Sequence, residues 1–434
     1  MRSRLYMQAR CILLLVLATS QSWPAWAQQQ TSQETNQQLL QRIEELEKQV
    51  QALKAKVADP PAPAAIASAS NPAAGDTPVA PPTPTPQPAQ APEAPIVNEV
   101  AKRLNLNIFA DVGVQGYNRS NTSFYFGSFD MFMTARLSEK VSALGEVLFL
   151  PDVTDNSIGV DVTRLLLRYR QSDYLMASIG RYNTWVGYYN TAFNKGEFLE
   201  TTTDRPFIYA YDDFGGVLPM QDLGVNLTGR IPSGKLGLNY VLELSNGRAW
   251  GTNVEPAQNR QDANTSKAIN GGLFVRPERF SGLQAGFSLR HDNLSIPAPA
   301  VHEMIATAHF VFINSNYEIL NEAVLDRHTV VNGPAFSNTG GYTQFSRRFR
   351  DGIRPYLRYQ YFNADNGDPV FAYAPVNDYA PATYTGFVGR VNGPSVGVRY
   401  DFTEHSAFKF QYDRFSLRDL PSENGLTAQV AFTF

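Results

Sequence analysis

The chain has 434 residues, 37 basic and 40 acidic side chains, and a formal net charge of −3 at pH 7. This balance gives no basis for predicting a nucleic-acid partner. After the first 27 residues no apolar run has the length that a transmembrane helix requires. The chain is therefore expected to be either soluble or a membrane barrel, whose strands mask their apolar face by alternation.

The first 27 residues show the three zones of a secretory signal peptide. A basic start precedes the apolar run CILLLVLAT, and Ala25 and Ala27 form an A-x-A site. The run is too short to span a membrane, so we expect cleavage after Ala27 rather than a retained anchor. The single cysteine, Cys11, lies in this run. A mature chain without it excludes disulfides, Cys-ligated zinc and cysteine nucleophiles.

Two segments of different composition follow the signal peptide. Residues 28–57 contain apolar residues at alternating spacings of four and three, which predicts a short coiled coil. A lone amphipathic helix packed on the main domain is the alternative. Residues 58–98 are rich in proline and alanine, so they are expected to form an extended linker that buries no core. Binding of this linker to cell-wall polymer is a second interpretation.

Residues 99–434 repeat an alternation of apolar and polar residues with a period of two. In AFKFQYDRF, for example, Phe408, Phe410 and Tyr412 alternate with Lys409, Gln411 and Asp413. The pattern predicts sixteen strands. Their predicted spans are 104–117, 124–137, 141–150, 158–171, 174–184, 221–231, 236–246, 267–277, 283–293, 303–313, 317–326, 339–349, 353–363, 394–402, 407–416 and 425–434.

A soluble β-sandwich and a membrane barrel both produce such alternation, but three features favour the barrel. The strands are about ten residues long, whereas sandwich strands usually have five or six. Their connections alternate between short and long, and aromatic residues gather at strand ends. We therefore predict an all-β fold, a transmembrane antiparallel β-barrel of about sixteen strands. An even strand number places both barrel ends on one side, and sixteen strands leave an aqueous channel.

The final segment GLTAQVAFTF, with Phe432 and Phe434 on its apolar face, resembles the assembly signal of bacterial outer-membrane proteins. The whole arrangement resembles the trimeric porins of Gram-negative bacteria, particularly sucrose-specific and dicarboxylate-type channels with a periplasmic coiled coil. The stretch VDVTRLLLRYRQSDYLMASIGRY is also similar to phosphate-selective porins. This resemblance implies a homotrimer in outer-membrane lipid, inserted by the barrel assembly machinery, with its N-terminal segment in the periplasm. It implies passive diffusion of small hydrophilic solutes and ions, with no cofactor.

A barrel enzyme of the lipase or protease type is the competing hypothesis. Such catalysis needs a nucleophile or acid–base pair on neighbouring strands. The chain has five histidines, and His291-Asp292 is the one dipeptide that suggests an acid–base pair. Ordinary polarity near a loop explains this dipeptide equally. No metal-ligand spacing or phosphate-binding glycine loop is found in the sequence.

Charged residues of both signs fall on the predicted inner face, where they would tune the selectivity of a pore. Solvated or mutually paired wall residues are the alternative interpretation. Basic residues slightly outnumber acidic ones, which hints at anions. The predicted pore-lining residues are Arg136, Glu146, Arg164, Arg168, Arg181, Arg290, Glu318, Glu322, Arg354, Arg358, Arg399 and Lys409, and Asp111, Asp130, Glu243 and Asp413 share this face.

The longest connection, about residues 185–220, follows the fifth strand and would be the third external loop. In porins this loop folds into the lumen, and the DDFGG stretch here is similar to their constriction loop. The general porin pattern has Pro-Glu before the phenylalanine, and this chain does not. A loop that merely caps the mouth is the alternative. The predicted constriction residues are Glu197, Glu200, Asp204, Arg205, Asp212 and Asp213.

Overall fold

The computed structural model describes residues 103–118, 121–151, 157–193, 196–209, 217–248, 262, 264–294, 300–372, 390–418 and 420–434. The predicted signal peptide, coiled coil and linker lie outside these ranges, as do Asp212 and Asp213. Within them, no helix has the length and apolar character needed to cross a membrane.

Sixteen antiparallel strands form one closed barrel, which confirms the predicted fold and strand number. Each strand overlaps its predicted span. The strands are β1 (Leu104–Tyr117), β2 (Ser123–Arg136), β3 (Val141–Pro151), β4 (Ile158–Ser172), β5 (Leu175–Asn183), β6 (Gln221–Arg230), β7 (Leu238–Ser245), β8 (Ala268–Val275), β9 (Leu283–Leu294), β10 (Val301–Ile313), β11 (Tyr317–Val330), β12 (Ala335–Arg347), β13 (Ile353–Asn363), β14 (Arg390–Thr403), β15 (Ser406–Leu417) and β16 (Leu420–Thr433).

Every strand pairs with the next one in sequence, and β16 closes the barrel against β1. In this closure Phe109 pairs with Thr433 and Tyr117 pairs with Gly425. The two ends of the barrel chain therefore lie on the same side, as the even strand number requires. The three longest connections, 184–220, 246–267 and 364–389, all lie on the opposite side. Residues 184–220 form the third connection on that side, and we call them loop 3.

The two faces of the wall differ because successive side chains on a strand point to opposite sides. On β15, Phe408, Phe410 and Tyr412 are about 40% exposed on the outer surface. Lys409 and Gln411, between them, are fully buried on the inner face. The same alternation on the other strands produces an apolar outer belt, which is the surface that lipid requires.

The described part of loop 3 includes three short helical segments that position its side chains. Helix α1 (Tyr189–Phe193) follows β5, and 3₁₀ turns cover Glu197–Leu199 and Phe207–Tyr209. An apolar cluster lies where the end of loop 3 meets β10, β13 and helix α2 (Pro369–Ala372). It includes Leu218, Val301, Ile305, Phe362 and Phe371. This packing fixes the end of loop 3 at the barrel end opposite the start of β1 and the end of β16.

Candidate functional site: the barrel interior and loop 3

A row of basic residues lines the inner face of three adjacent strands. Arg354 on β13 pairs with Arg399 on β14, and Arg399 pairs with Lys409 on β15. Arg358 lies four residues along β13 from Arg354 on the same face, because inward positions recur at every second residue. We call Arg354, Arg358, Arg399 and Lys409 the basic row. All four were predicted to line the pore.

Loop 3 contacts the basic row mostly through its backbone carbonyls. Lys409 donates hydrogen bonds to the carbonyls of Thr202 (2.7 Å) and Glu197 (2.5 Å). Arg399 donates from Nη1 to the Glu200 carbonyl (2.6 Å) and to that of Phe198. The positive charges therefore hold the segment from Glu197 to Thr202 against the inner wall.

One carboxylate of loop 3 joins this contact directly. Arg358 donates from Nη2 to Oδ1 of Asp204 at 2.5 Å and from Nη1 to the Asp204 carbonyl at 2.8 Å. Gln411 on β15 donates to the same Oδ1 at 2.8 Å. Strand β13 is the eighth strand around from β5 in a barrel of sixteen. Loop 3 leaves the wall at β5 and is bound at β13 to β15, so it extends across the barrel interior.

Three more of the predicted constriction residues are close neighbours in loop 3. They are Glu197, Glu200 and Arg205. Arg205 approaches Glu200, with Nε 3.6 Å from Oε1, and both side chains are almost fully buried. Burial, reinforced by the neighbouring Glu200 carboxyl, raises the pKa of Glu197 well above its usual value. Burial also raises the pKa of Glu200. These two carboxyls therefore favour a shared proton, because a second negative charge is costly there.

Glu322 on β11 anchors the start of loop 3. Its Oε1 accepts hydrogen bonds from the Tyr189 amide (2.9 Å) and the Tyr342 hydroxyl (2.7 Å). Its Oε2 accepts from the Tyr188 amide (2.5 Å) and the Tyr209 hydroxyl (2.7 Å). The loop backbone approaches closely at Gly187, which has φ 86° and where a Cβ would lie 2.6 Å from Oε2. Glycine is thus required beside this anchor.

Other predicted lining residues form closed pairs within the wall. Glu146 on β3 binds Arg164 and accepts from the Thr163 hydroxyl at 2.9 Å. Arg290 on β9 binds Asp222 on β6 and lies 3.2 Å from Asp292. The sequence analysis did not predict that Asp222 lines the interior. Glu318, Arg136 and Arg168 also stand on inward positions, Arg136 exposed at the end of β2.

Arg181 differs from the other predicted lining residues in its backbone position. It pairs with Leu165, which is 63% exposed on the outer surface, and with Leu223. Its backbone position therefore belongs to the outward row. The guanidinium donates to the Val162 carbonyl and to Gln221, at 2.9 and 2.8 Å. Its Nη1 also lies 3.3 Å from Oδ1 of Asp161, and the side chain is only 14% exposed. The predicted pore-lining role of Arg181 therefore stays a prediction.

Two arginines on the inner face remain accessible and have neutral partners among the described residues. Arg168 on β4 lies 3.5 Å from the Ser178 hydroxyl. Arg276, directly after β8, donates to Gln284 at 2.8 Å and lies over the Phe274 ring at 5.0 Å. The sequence analysis did not predict Arg276 as a lining residue. Arg276 is an even number of residues from the inward-facing Asn270 and therefore falls on the same face.

The His291-Asp292 dipeptide does not form a local acid–base pair. His291 pairs with Ile269 and Met304, which are both exposed on the outer surface. Asp292 is buried and points inward to Arg290. Adjacent residues on a strand face opposite sides, and this geometry separates the two groups.

A closed antiparallel barrel with an apolar belt outside and a charged interior defines a porin-like fold. No family model and no curated protein matches the sequence. Solved structures share the fold. The anion-selective porin of Comamonas acidovorans has a TM-score of 0.55 at 10% identity, covering 76% of this chain and 99% of that one. The outer-membrane channel DcaP of Acinetobacter baumannii gives 0.52 at 11%, covering 76% and 97%. OmpF of Salmonella typhi gives 0.50 at 12%, covering 76% and 97%.

Proposed function

We propose that the protein is an outer-membrane porin, a passive diffusion channel for small hydrophilic solutes and ions that favours anions. The observation that carries this proposal is an asymmetry in the accessibility of inner-face charges. Several inner-face carboxylates are buried and hydrogen-bonded to donors, whereas several guanidinium groups remain accessible. An ion in the lumen would therefore meet a net positive wall even though the two signs are nearly balanced in number.

The carboxylates of the inner face show this burial consistently. Glu146, Glu243, Glu318 and Glu322 are each at most 5% exposed. Glu243, for example, accepts from the side-chain amides of Asn226 (2.8 Å) and Asn270 (2.7 Å). Such donors stabilise each negative charge locally and reduce its reach into the lumen. Arg168, Arg276 and Arg354 keep part of their surface accessible on the same face.

We further propose that loop 3 forms the constriction of this channel. Its contacts with β13 to β15 support the idea, because a segment that crosses the interior narrows the path for solutes. The path would then run beside the accessible Arg168 and Arg276, and the Asp204–Arg358 pair would stand on the loop side. The predicted contribution of Asp212 and Asp213 stays a prediction.

Ion selectivity of the purified protein in planar bilayers tests the proposal. Under a potassium chloride gradient, we expect a reversal potential that indicates preference for chloride. The double variant Arg168→Gln/Arg276→Gln should reduce this preference because it removes two accessible positive charges. The matched control, Lys235→Gln/Arg350→Gln, removes two charges from exposed turns outside the strands and should have little effect.

Three outcomes would contradict the proposal. A parent channel that prefers potassium would show that the accessible arginines do not determine whether the lumen favours anions or cations. Equal shifts in both double variants would show that the charge acts from anywhere on the molecule. Absence of conductance together with ester or peptide hydrolysis would favour the alternative, an outer-membrane β-barrel enzyme.

The proposal extends to assembly. We expect a homotrimer inserted into outer-membrane lipid by the barrel assembly machinery, with the N-terminal segment in the periplasm. The apolar outer belt and the C-terminal Phe432 and Phe434, whose rings stack at 6.3 Å, support this expectation. Cross-linking of the native membrane protein measures its subunit number, and a monomer there would contradict the trimer.

A further inference from the structure

A fully buried cluster of acidic residues and one histidine lies on the inner face of β10 and β11, away from the basic row. Glu303 and His328 are directly paired across the two strands, and Asp326 stands two residues from His328 on the same face. All three side chains have no exposed surface. The strand register itself therefore directs these groups toward one point.

The distances within the cluster match the ligand set of a metal ion. His328 Nε2 lies 3.3 Å from Oε1 of Glu303 and 3.2 Å from Oδ2 of Asp326. One ligand atom from each of the three residues lies within 4.8 Å of the others. Ligands at about 2.0–2.1 Å from a tetrahedral ion are separated by about 3.4 Å. The side chains need little movement to reach this geometry.

An independent sign of a missing partner comes from the carboxylates. Oδ1 of Asp326 and Oε2 of Glu303 accept no hydrogen bond from the described residues, and Oδ2 of Asp326 faces the Nε2 of His328. Buried carboxylate oxygens without partners are costly unless a cation satisfies them. Arg248 binds Oε1 of Glu303. Three carboxylates, those of Glu303, Asp326 and Asp368, then face one guanidinium, which leaves two negative charges around His328 for a cation to balance.

The outer contacts of His328 are those of a metal-ligating histidine. His328 Nδ1 lies 2.6 Å from Oδ2 of Asp368. In the tautomer that donates from Nδ1 to this carboxylate, Nε2 has a lone pair directed at Glu303 and Asp326. Asp368 is itself held by the Asn338 side-chain amide (2.7 Å) and by the Val370 amide (3.0 Å). A fixed carboxylate behind the imidazole orients the ring and raises its basicity as a ligand.

We propose that Glu303, Asp326 and His328 bind one divalent transition-metal ion, such as Zn²⁺, during folding of the barrel. One imidazole and two carboxylates suit zinc and its neighbours, whereas calcium prefers oxygen ligands alone. The ion would fasten external connections to the wall. Asp368 belongs to the connection after β13, and Arg248 donates to the Val217 carbonyl at the end of loop 3 at 3.2 Å.

The test measures metal content of the full-length protein refolded with zinc and then washed with a chelator. In a His302→Gln background, which removes an exposed histidine, we expect one zinc ion per chain by mass spectrometry. Asp326→Asn and His328→Gln should each lose it. The matched controls are His309→Gln, which changes a buried histidine of β10 bonded to Gln284, and Glu318→Gln on β11. Both should retain one ion.

Cobalt provides a second readout, because the four-coordinate ion gives strong visible absorption bands that solvated cobalt lacks. These bands should appear in the parent and the controls and be absent from Asp326→Asn. Parent protein without bound zinc would overturn the proposal and assign the cluster to a protonated His328 bridging its carboxylates. Retention of the ion by Asp326→Asn would also overturn it. Because Asp326→Asn preserves side-chain volume, it gives a result even if His328→Gln does not assemble.

Discussion

Replacing Glu322 tests how strongly the wall holds the start of loop 3. Glu322 accepts four hydrogen bonds, two from loop amides and two from buried tyrosines. Each such bond contributes about 1–1.5 kcal/mol net, so Glu322→Ala should weaken the closed arrangement by about 4–6 kcal/mol. At about 1.4 kcal/mol per tenfold change, amide exchange of Tyr188 and Tyr189 should accelerate by about 10³–10⁴-fold. Hydrogen-exchange mass spectrometry of the loop peptide measures this.

Two further variants make the interpretation specific. Glu322→Gln retains one acceptor oxygen and places an amide group at the other position. A tyrosine hydroxyl can rotate to accept from that group, but a backbone amide cannot, so the effect should be intermediate. Glu318→Gln changes the same residue type on the same face of β11, where the partners are the wall residues Gln344 and Arg354. Loop exchange in Glu322→Ala equal to that in Glu318→Gln would refute the reasoning.

Three other predictions concern assembly, modularity and pH. Phe434→Asp should impair assembly, measured by heat-modifiable gel mobility, while Thr433→Asp on the inner row should be tolerated; normal levels of the first variant would count against it. Deletion of residues 28–98 should leave a barrel that conducts in bilayers, and failure to fold would show that this region is part of the barrel. Because burial raises the pKa of Glu197, the folded loop binds a proton that the unfolded chain releases above about pH 4.3. Loop protection in hydrogen exchange should fall with rising pH, and a Glu197→Gln variant with the parent's pH dependence would contradict this.

The strands could be predicted from the sequence because a lipid-facing barrel imposes a period of two along its whole length. Errors are confined to strand ends. The predicted span 317–326 stops short of Val330, since Arg327 and Thr329 fall on the outward row, where apolar residues are expected. The inward-facing Asp326 and His328 lie at the same end of β11. These polar residues are buried by the connections from β7 and β13, and such tertiary contacts leave no periodic signal.

The interior contacts could be predicted only in part. Alternation identifies which residues face inward, and it placed the basic row correctly on that face. Alternation alone does not place the Arg181 side chain, because its backbone position is outward while its guanidinium contacts Asp161 and Gln221. It also gives no partner for an inward charge. Asp204 and Arg358 are 154 residues apart, and their contact depends on the path of loop 3, which has no repeating pattern.

The proposed anion preference rests on the accessibility of the charged groups, which a count of charged residues does not report. A count of inward charges gives Glu322, Glu146 and Arg168 the same weight. The two carboxylates are enclosed by donors, however, whereas the guanidinium of Arg168 remains accessible. A carboxylate needs several donors when it is buried, and backbone amides and tyrosines supply them here. An arginine keeps five donors that few neighbours can satisfy together. Enclosure of Glu146 and Glu322 by their donors, beside the accessible Arg168, is the packing that supports the proposed anion preference.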